Sequence, residues 1–210
     1  MSVNSEWNYW NSQGSDKIFT IPFNFGEFEK LVDKESTVFD FGCGYGRILE
    51  ELKFLDYKYL YGCDYSFPML KKAKNGNIHV IQNDNIKIPF KNSCFDAVII
   101  IAVLTCIVNS ELQKKLIEEI YRVMKPGASI FVADFLLNDD PRNLERYSLF
   151  NKKYNEYGIF EIEPDIPLRH HSQDYIRSIL GGFQFHSFSI DVYNTMNGNA
   201  SKGFYLTATK

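Results

Sequence analysis

The chain has 210 residues, 45% of them hydrophobic and 23% charged, with a formal net charge of −3. That length suits one globular domain with a modest insertion, and that charge provides no global field to gather nucleic acid. The longest apolar run, Ala97–Leu104, is too short for a bilayer, no hydrophobic leader opens the sequence, and Cys43, Cys63, Cys94 and Cys106 form no C-x-x-C pair, so a cytoplasmic protein with free thiols, without zinc or disulfides, is expected.

Residues 1–35 lead irregularly into a helix from about Asn24 to Val32. Trp7, Tyr9, Trp10, Phe19 and Phe23 are too many large aromatics for a disordered tail. They predict a docked segment, either packed on the sheet edge or folded as a flap over a ligand, where Tyr9 and Trp10 would meet an acceptor. Val38–Phe41 then reads as a strand that runs into Gly42-Cys43-Gly44-Tyr45-Gly46. An amphipathic helix follows, with Ile48, Leu49, Leu52 and Leu55 on one face. Strand, glycine turn and helix open a βαβ unit, whose glycines let a ligand approach the backbone at the helix N-terminus. The spacing is G-x-G-x-G; the third glycine of a dinucleotide fingerprint would fall on Arg47, and no Lys-Ser or Lys-Thr makes a P-loop. Asp40, two residues ahead, suits a cationic ligand and would repel a pyrophosphate. An acid followed by G-x-G-x-G resembles the first motif of the class I S-adenosylmethionine-dependent methyltransferases. The resemblance implies S-adenosyl-L-methionine as cofactor, with Asp40, Gly42, Cys43, Gly44 and Gly46 around it, and S-adenosyl-L-homocysteine as product.

A second strand, Lys58–Cys63, ends at Asp64, where a carboxylate can accept both ribose hydroxyls. Asp64-Tyr65-Ser66-Phe67-Pro68-Met69-Leu70 resembles the family's second signature, and Ser66 is a fair helix cap. A third strand over Ile78–Gln82 leads to Asn83-Asp84-Asn85-Ile86, then to Ile88-Pro89-Phe90 and Phe95-Asp96, again similar to the family. The resemblance implies that Asp84 accepts the adenine N6 hydrogens and that the Asn85 backbone and Ile86 complete that loop. Asp96 reads as a turn and strand-start residue. Ala97–Ile101 is a β-branched central strand, from which Ile101 and Leu104 would cover the adenine. Thr105-Cys106 stands where many relatives carry a His pair. Ser110-Glu111-Leu112-Gln113 reads as a capping box for a helix through Met124, stopped by Lys125-Pro126-Gly127. A fifth strand follows at Ala128–Phe135. Five such units give a parallel sheet with right-handed crossovers.

Residues 136–171 break the rhythm, with a helix from about Pro141 to Glu156, and predict a substrate lid over the carboxyl edge of the sheet. Ser172 caps another helix that feeds a sixth strand from Phe183 to Val192, with a bulge where the apolar parity slips at His186-Ser187. A helix-free return to a last strand, Gly203–Thr209, means antiparallel pairing. The expected architecture is α/β, a Rossmann-like doubly wound seven-stranded sheet, mostly parallel with the last strand antiparallel. Its domains would be an aromatic flap at 1–35 and a methyltransferase domain at 36–210 with the lid at about 136–171.

The function expected from the resemblance is direct methyl transfer to a small-molecule acceptor. The alternatives kept are an RNA-modifying enzyme needing a partner, with Arg142, Arg146, Lys152 and Lys153 as a local basic patch, and a non-catalytic cofactor-binding subunit. No Asn-Pro-Pro-Tyr type motif is present, which weighs against a DNA base, and no membrane partner is expected. Topology brings His170, His171, the lid and residues 195–199 to the ligand side. His170 or His171 is therefore the candidate that orients or deprotonates the acceptor, with Tyr147, Tyr154 and Asn197 as candidate substrate contacts. No metal is expected. The acceptor's identity and the oligomeric state are left open.

Overall fold

The computed structural model describes residues 3–12, with side chains from residue 8, and residues 17–73, 78–83 and 86–210. Nine strands are described: β1 (Thr37–Phe41), β2 (Tyr59–Asp64), β3 (His79–Gln82), β4 (Phe95–Ile101), β5 (Met124–Phe135), β6 (Ile159–Glu163), β7 (Ile166–Arg169), β8 (Gln184–Asn194) and β9 (Ala200–Thr209). The helices are α1 (Val3–Ser12), α2 (Phe25–Leu31), α3 (Arg47–Phe54), α4 (Phe67–Ala73), α5 (Ser110–Val123), α6 (Pro141–Tyr154) and α7 (Gln173–Ile179). The main sheet has the order β3-β2-β1-β4-β5-β9-β8, and β6 and β7 form a separate hairpin. β1 to β5 are mutually parallel, while β9 pairs antiparallel with both β5 and β8. The architecture is therefore the expected Rossmann-like one. Strand order reverses between β1 and β4, which is where such sheets open a crevice at their carboxyl ends.

Alternation along the central strands supplies both faces of the core. Val98 and Ile100 of β4 pack with Leu116, Ile120 and Val123 of α5 and Ile176 of α7. Ala97 and Ile99 face the other way, with Phe28 of α2, Leu49 and Leu52 of α3 and Leu70 of α4. Val98, Ile99 and Ile100 are wholly buried, each contributing roughly 1.5–3 kcal/mol. At the amino edge, Asp96 accepts the backbone N–H of Thr37 at 2.9 Å and the Nζ of Lys125 at 2.8 Å. That clasp fits its expected role at the start of a strand. The expected bulge falls at His186, where the β8–β9 pairing shifts between Phe185 and Ser187.

Several local expectations are corrected. The cap of α5 is Asn109, whose side chain accepts from the N–H of Leu112; Ser110 instead receives an N–H of Arg169 at 2.7 Å. Ser66 directly precedes α4, its carbonyl accepting the N–H of Leu70 at 3.1 Å, and its hydroxyl donates to the carbonyl of Trp10 at 3.1 Å. Met124 turns extended and already pairs with Phe95, so β5 begins before Lys125-Pro126-Gly127. The inserted segment is not a helix alone. α6 ends at Asn155, which adopts φ 51°, and the β6–β7 hairpin follows, turning at Asp165 with φ 61°. The cap at Ser172 forms as expected, accepting from Tyr175, and Asn24 caps α2 by accepting from Glu27. Among the described residues no helix is long and apolar enough to cross a membrane.

Candidate active site

A cleft of about 750 Å³ opens at the carboxyl ends of β1, β2 and β4. Its floor is the turn between β1 and α3. Gly42, Gly44 and Gly46 all have positive φ. A Cβ on Gly42 would sit 2.5 Å from Val103 Cγ2, and one on Gly44 would sit 3.0 Å from Phe19. The turn therefore needs glycine for its backbone and for its neighbours. Across it, the carboxylate of Asp64 accepts the N–H of Gly44 at 2.9 Å and the N–H of Ser66 at 2.8 Å. With the Tyr65 amide, these contacts take three of the carboxylate's roughly four lone-pair sites and leave one for a ligand's hydroxyl. Burial pushes the Asp64 carboxyl above its usual range, against the pull of the Ser66, Gly44 and Tyr65 amides.

Asp40 ends β1 beside it, 3% exposed. Burial raises its carboxyl to about 8, Arg47 opposes that, and Asp64 adds to it. Arg47 is itself held by donating to the Ile21 carbonyl at 2.8 Å. A buried carboxyl with no hydrogen bond among the described residues is a place for a cation. Beyond β4, Ala102 takes the left-handed conformation at φ 58°, a local cost of about 1–3 kcal/mol of the kind that gathers at ligand sites. It turns the chain into a short 3₁₀ segment at Leu104–Cys106. The segment is anchored by Asp134, whose buried carboxylate accepts the N–H of Thr105 at 3.0 Å.

A roof covers this floor. Tyr9 and Trp10 of α1 cluster with Met69, Ile166, Phe19, Tyr65, Ile162, Leu168 and Met196. Residues from α1, α4, the β6–β7 hairpin and the β8–β9 loop thus meet over one space.

Asp40, Gly42, Cys43, Asp64, Tyr65, Ile86 and Ile101 line the cleft, as do Tyr9, Trp10 and Asn197. Gly44 and Gly46 lie beneath it and shape the turn. Asp84 and Asn85 lie outside the described residues, as does the side chain of Trp7. Leu104 is corrected: it is wholly buried in the core under α5, and its neighbours Val103 and Thr105 face the cleft. Tyr154 is corrected too, since its hydroxyl is spent on Glu161 away from the lining. Tyr147 is fully buried and reaches the cleft only through His170, with its hydroxyl 2.6 Å from His170 Nδ1. The Asn138 N–H also points at that hydroxyl at 3.3 Å, and Asn138 Nδ2 approaches His170 Nδ1 at 3.5 Å, an arrangement that suits Nδ1 as acceptor and the His170 proton on Nε2.

Of the two histidines expected to orient or deprotonate an acceptor, His170 lines the cleft. Burial holds the His170 imidazole well below its usual range, and Arg146, His171 and Arg142 push the same way. His171 is also corrected. It is 1% exposed, its Nε2 lies 2.8 Å from Gln113 Nε2, and burial lowers it to about 3. It joins α5 to the chain after β7 and does not line the cleft.

Of the basic patch the sequence offers for an RNA substrate, Arg142 and Arg146 line the cleft, while Lys152 and Lys153 are not in its lining. The i, i+4 spacing of Arg142 and Arg146 on α6 places them on one helix face, and that was the available signal. Phe160, Leu168 and Met196 carried no motif.

Residues 39–132 match the family described as "Methyltransferase domain". The chain is 32% identical over 111 residues to a probable tRNA methyltransferase 9B of Mus musculus, covering 53% of this chain and 24% of that protein. It is 31% identical over 133 residues to a tRNA (carboxymethyluridine(34)-5-O)-methyltransferase of Arabidopsis thaliana, covering 63% of this chain and 32% of that protein. The chain thus spans about a quarter to a third of the length of these relatives. Among solved structures, a SAM-dependent methyltransferase of Methanosarcina mazei shares the fold at a TM-score of 0.83 and 22% identity, over 92% of this chain and 99% of that one.

Proposed function

We propose that the chain, whose residues 39–132 match a methyltransferase domain, moves a methyl group from S-adenosylmethionine to a small molecule enclosed beneath the roof of the cleft. The residues present fit the cofactor. Asp64 has a lone pair free for a ribose hydroxyl, the glycine turn leaves space where a Cβ would clash, and Asp40 offers a carboxyl to the cationic end. Ile86, Ile101 and Val103 supply apolar walls.

When bound, S-adenosylmethionine supplies a sulfonium whose methyl carbon is already electrophilic. The chain's own work is then to align an acceptor and exclude water, and orientation alone can supply roughly 7–11 kcal/mol. Tyr9, Trp10, Leu168 and Met196 exclude water from above. His170, neutral and carrying its proton on Nε2, orients an acceptor by donating a hydrogen bond and does not abstract a proton. Asp40 loses its proton as a cation arrives, since a nearby positive charge favours the carboxylate.

The observation that carries this reading is the pairing of two buried carboxylates at the ends of β1 and β2 with a roofed compartment beside them. A second reading, a tRNA nucleoside as acceptor, is favoured by the names of the relatives. One experiment separates them. Methyl-labelled cofactor is incubated with the protein and either a metabolite extract or total tRNA. Label in the metabolite fraction supports the small acceptor; label confined to tRNA replaces it with the second reading. Label in neither, with S-adenosylhomocysteine bound, leaves a cofactor-binding subunit and ends the enzymatic reading.

A further inference from the structure

The cleft carries charge of both signs, with Lys17 and Arg47 in its lining and Arg47 beside Asp40. The acids of the cleft are Asp40 and Asp64, both at the strand ends. The far wall holds Arg142 and Arg146 of α6 with His170, and no carboxylate lines that wall among the described residues. The Arg146 guanidinium lies over the Phe160 ring with its central carbon 3.4 Å from the ring centroid, which fixes its plane. Its Nε is buried without a hydrogen-bond partner. Arg142 approaches Asp140 only to 3.9 Å, and that carboxylate is already committed to the start of α6, where it accepts the Asn143 N–H at 3.2 Å.

Two cations thus share one wall without a strong counterion. Burial lowers Arg146 to about 10, and Arg142 adds to the effect. The Phe160 ring and a hydrogen bond with the Tyr147 side chain compensate Arg146 in part, and partly buried charge short of a paired carboxylate is costly. A guanidinium offers a planar fork of N–H donors that matches a carboxylate. Beside it, Tyr147 occupies His170 Nδ1 and leaves the Nε2–H as a third donor. None of these groups can accept a hydrogen bond from a ligand, so the wall selects for a group that only accepts.

We propose that the acceptor of this enzyme carries a carboxylate, gripped by Arg142 and Arg146 with His170 donating beside them. This rests on the methyl-transfer reading for the word acceptor, but its test reads binding alone. The protein saturated with S-adenosylhomocysteine is titrated with phenylacetate, phenylacetamide and inorganic phosphate, followed by saturation-transfer NMR. Phenylacetate should bind at least about tenfold tighter than the amide, the scale of a charge-assisted hydrogen bond. Arg146→Gln and Arg142→Gln should each weaken it severalfold while S-adenosylhomocysteine binds as before, and Arg146→Lys should lose less than Arg146→Gln.

The proposal is overturned if phenylacetate shows no saturable binding, if the amide binds equally well, or if neither Gln variant changes the affinity. It is also overturned if inorganic phosphate displaces phenylacetate more effectively than free acetate does, which would assign the wall to a phosphorylated acceptor. Should Arg146→Gln fail to fold, the exposed Arg142 carries the test alone. Should S-adenosylhomocysteine fail to bind, the methyltransferase reading falls separately, and the titration is run on the free protein.

Discussion

Asp64 takes an N–H from each of two loops, at Gly44 and at Ser66, so one carboxylate both joins the loops and faces the ligand. Replacing it with Ala should weaken S-adenosylhomocysteine binding at least about tenfold, on the scale of 1.5–3 kcal/mol for a charge-assisted hydrogen bond. Titration calorimetry checks this, and an unchanged dissociation constant in a folded variant would remove Asp64 from the site. Tyr147→Phe tests the other end. It takes away the proton donor to His170 Nδ1 while leaving the ring in place. The nitrogen-15 shifts of His170 should change from a single Nε2–H tautomer to a mixture, with cofactor affinity unaltered. A wild-type protein that already shows a mixture would contradict the tautomer drawn from the Asn138 and Tyr147 contacts. Asp40 and Asp64 were legible in the sequence because a short glycine motif places them within a few residues of known backbone geometry. Leu104, His171 and Tyr154 were not, because each lies one rotation or one turn from the cleft, and side-chain direction there depends on long-range packing.

The strands of the main sheet were legible as elements because β-branched runs such as Ala97–Ile101 are unsuited to anything but a central strand. The β6–β7 hairpin was not read, although Ile159-Phe160-Glu161-Ile162-Glu163 alternates and Pro164-Asp165 marks a turn. The helix expected from about Pro141 to Glu156 stops close to the observed end of α6 at Tyr154, and the residues after it carry no expected element. Arg169 then fastens the hairpin, donating to the Val108 carbonyl at 3.2 Å, to Ser110 at 2.7 Å and to Glu156 at 2.9 Å. The N-terminal segment divides between two tasks. Phe23 and Phe28 belong to the core against Phe131, while Tyr9 and Trp10 belong to the roof. Deleting residues 1–20 should therefore spare the fold and lower cofactor affinity, with faster proteolysis near the cleft. A truncated protein that binds S-adenosylhomocysteine as the full chain does would make α1 a passive cover.

For the molecule as a whole, buried groups bias stability with pH, the raised carboxyl of Asp64 among them. Burial raises Asp40 to about 8 and Asp134 to about 7, so these carboxyls hold protons that the unfolded chain has already lost above its ordinary value of 3.8. Their contribution is present at acid pH and is lost as pH rises to those values. His170 and His171 act oppositely: neutral in the fold, they cost stability only below the ordinary imidazole value of 6.5. The carboxyls and the imidazoles offset each other below that value, and only the carboxyls act above it. The melting temperature of the ligand-free protein should therefore fall between pH 6.5 and 8, by several degrees for a loss on the order of 2 kcal/mol. Asp40→Asn should flatten that slope, and a melting temperature that holds or rises over the interval would contradict the burial argument. The glycine turn has one more consequence, and it is kinetic. Cys43 lies inside that turn, on the cleft wall, with burial and the charges of Asp40 and Asp64 holding its thiol far above the usual range. A thiol so placed reacts with an alkylating reagent only when the roof lifts. Its labelling rate, read site by site by mass spectrometry, should count openings of the empty cleft and slow when S-adenosylhomocysteine is bound, making Cys43 a clock for the gate above it.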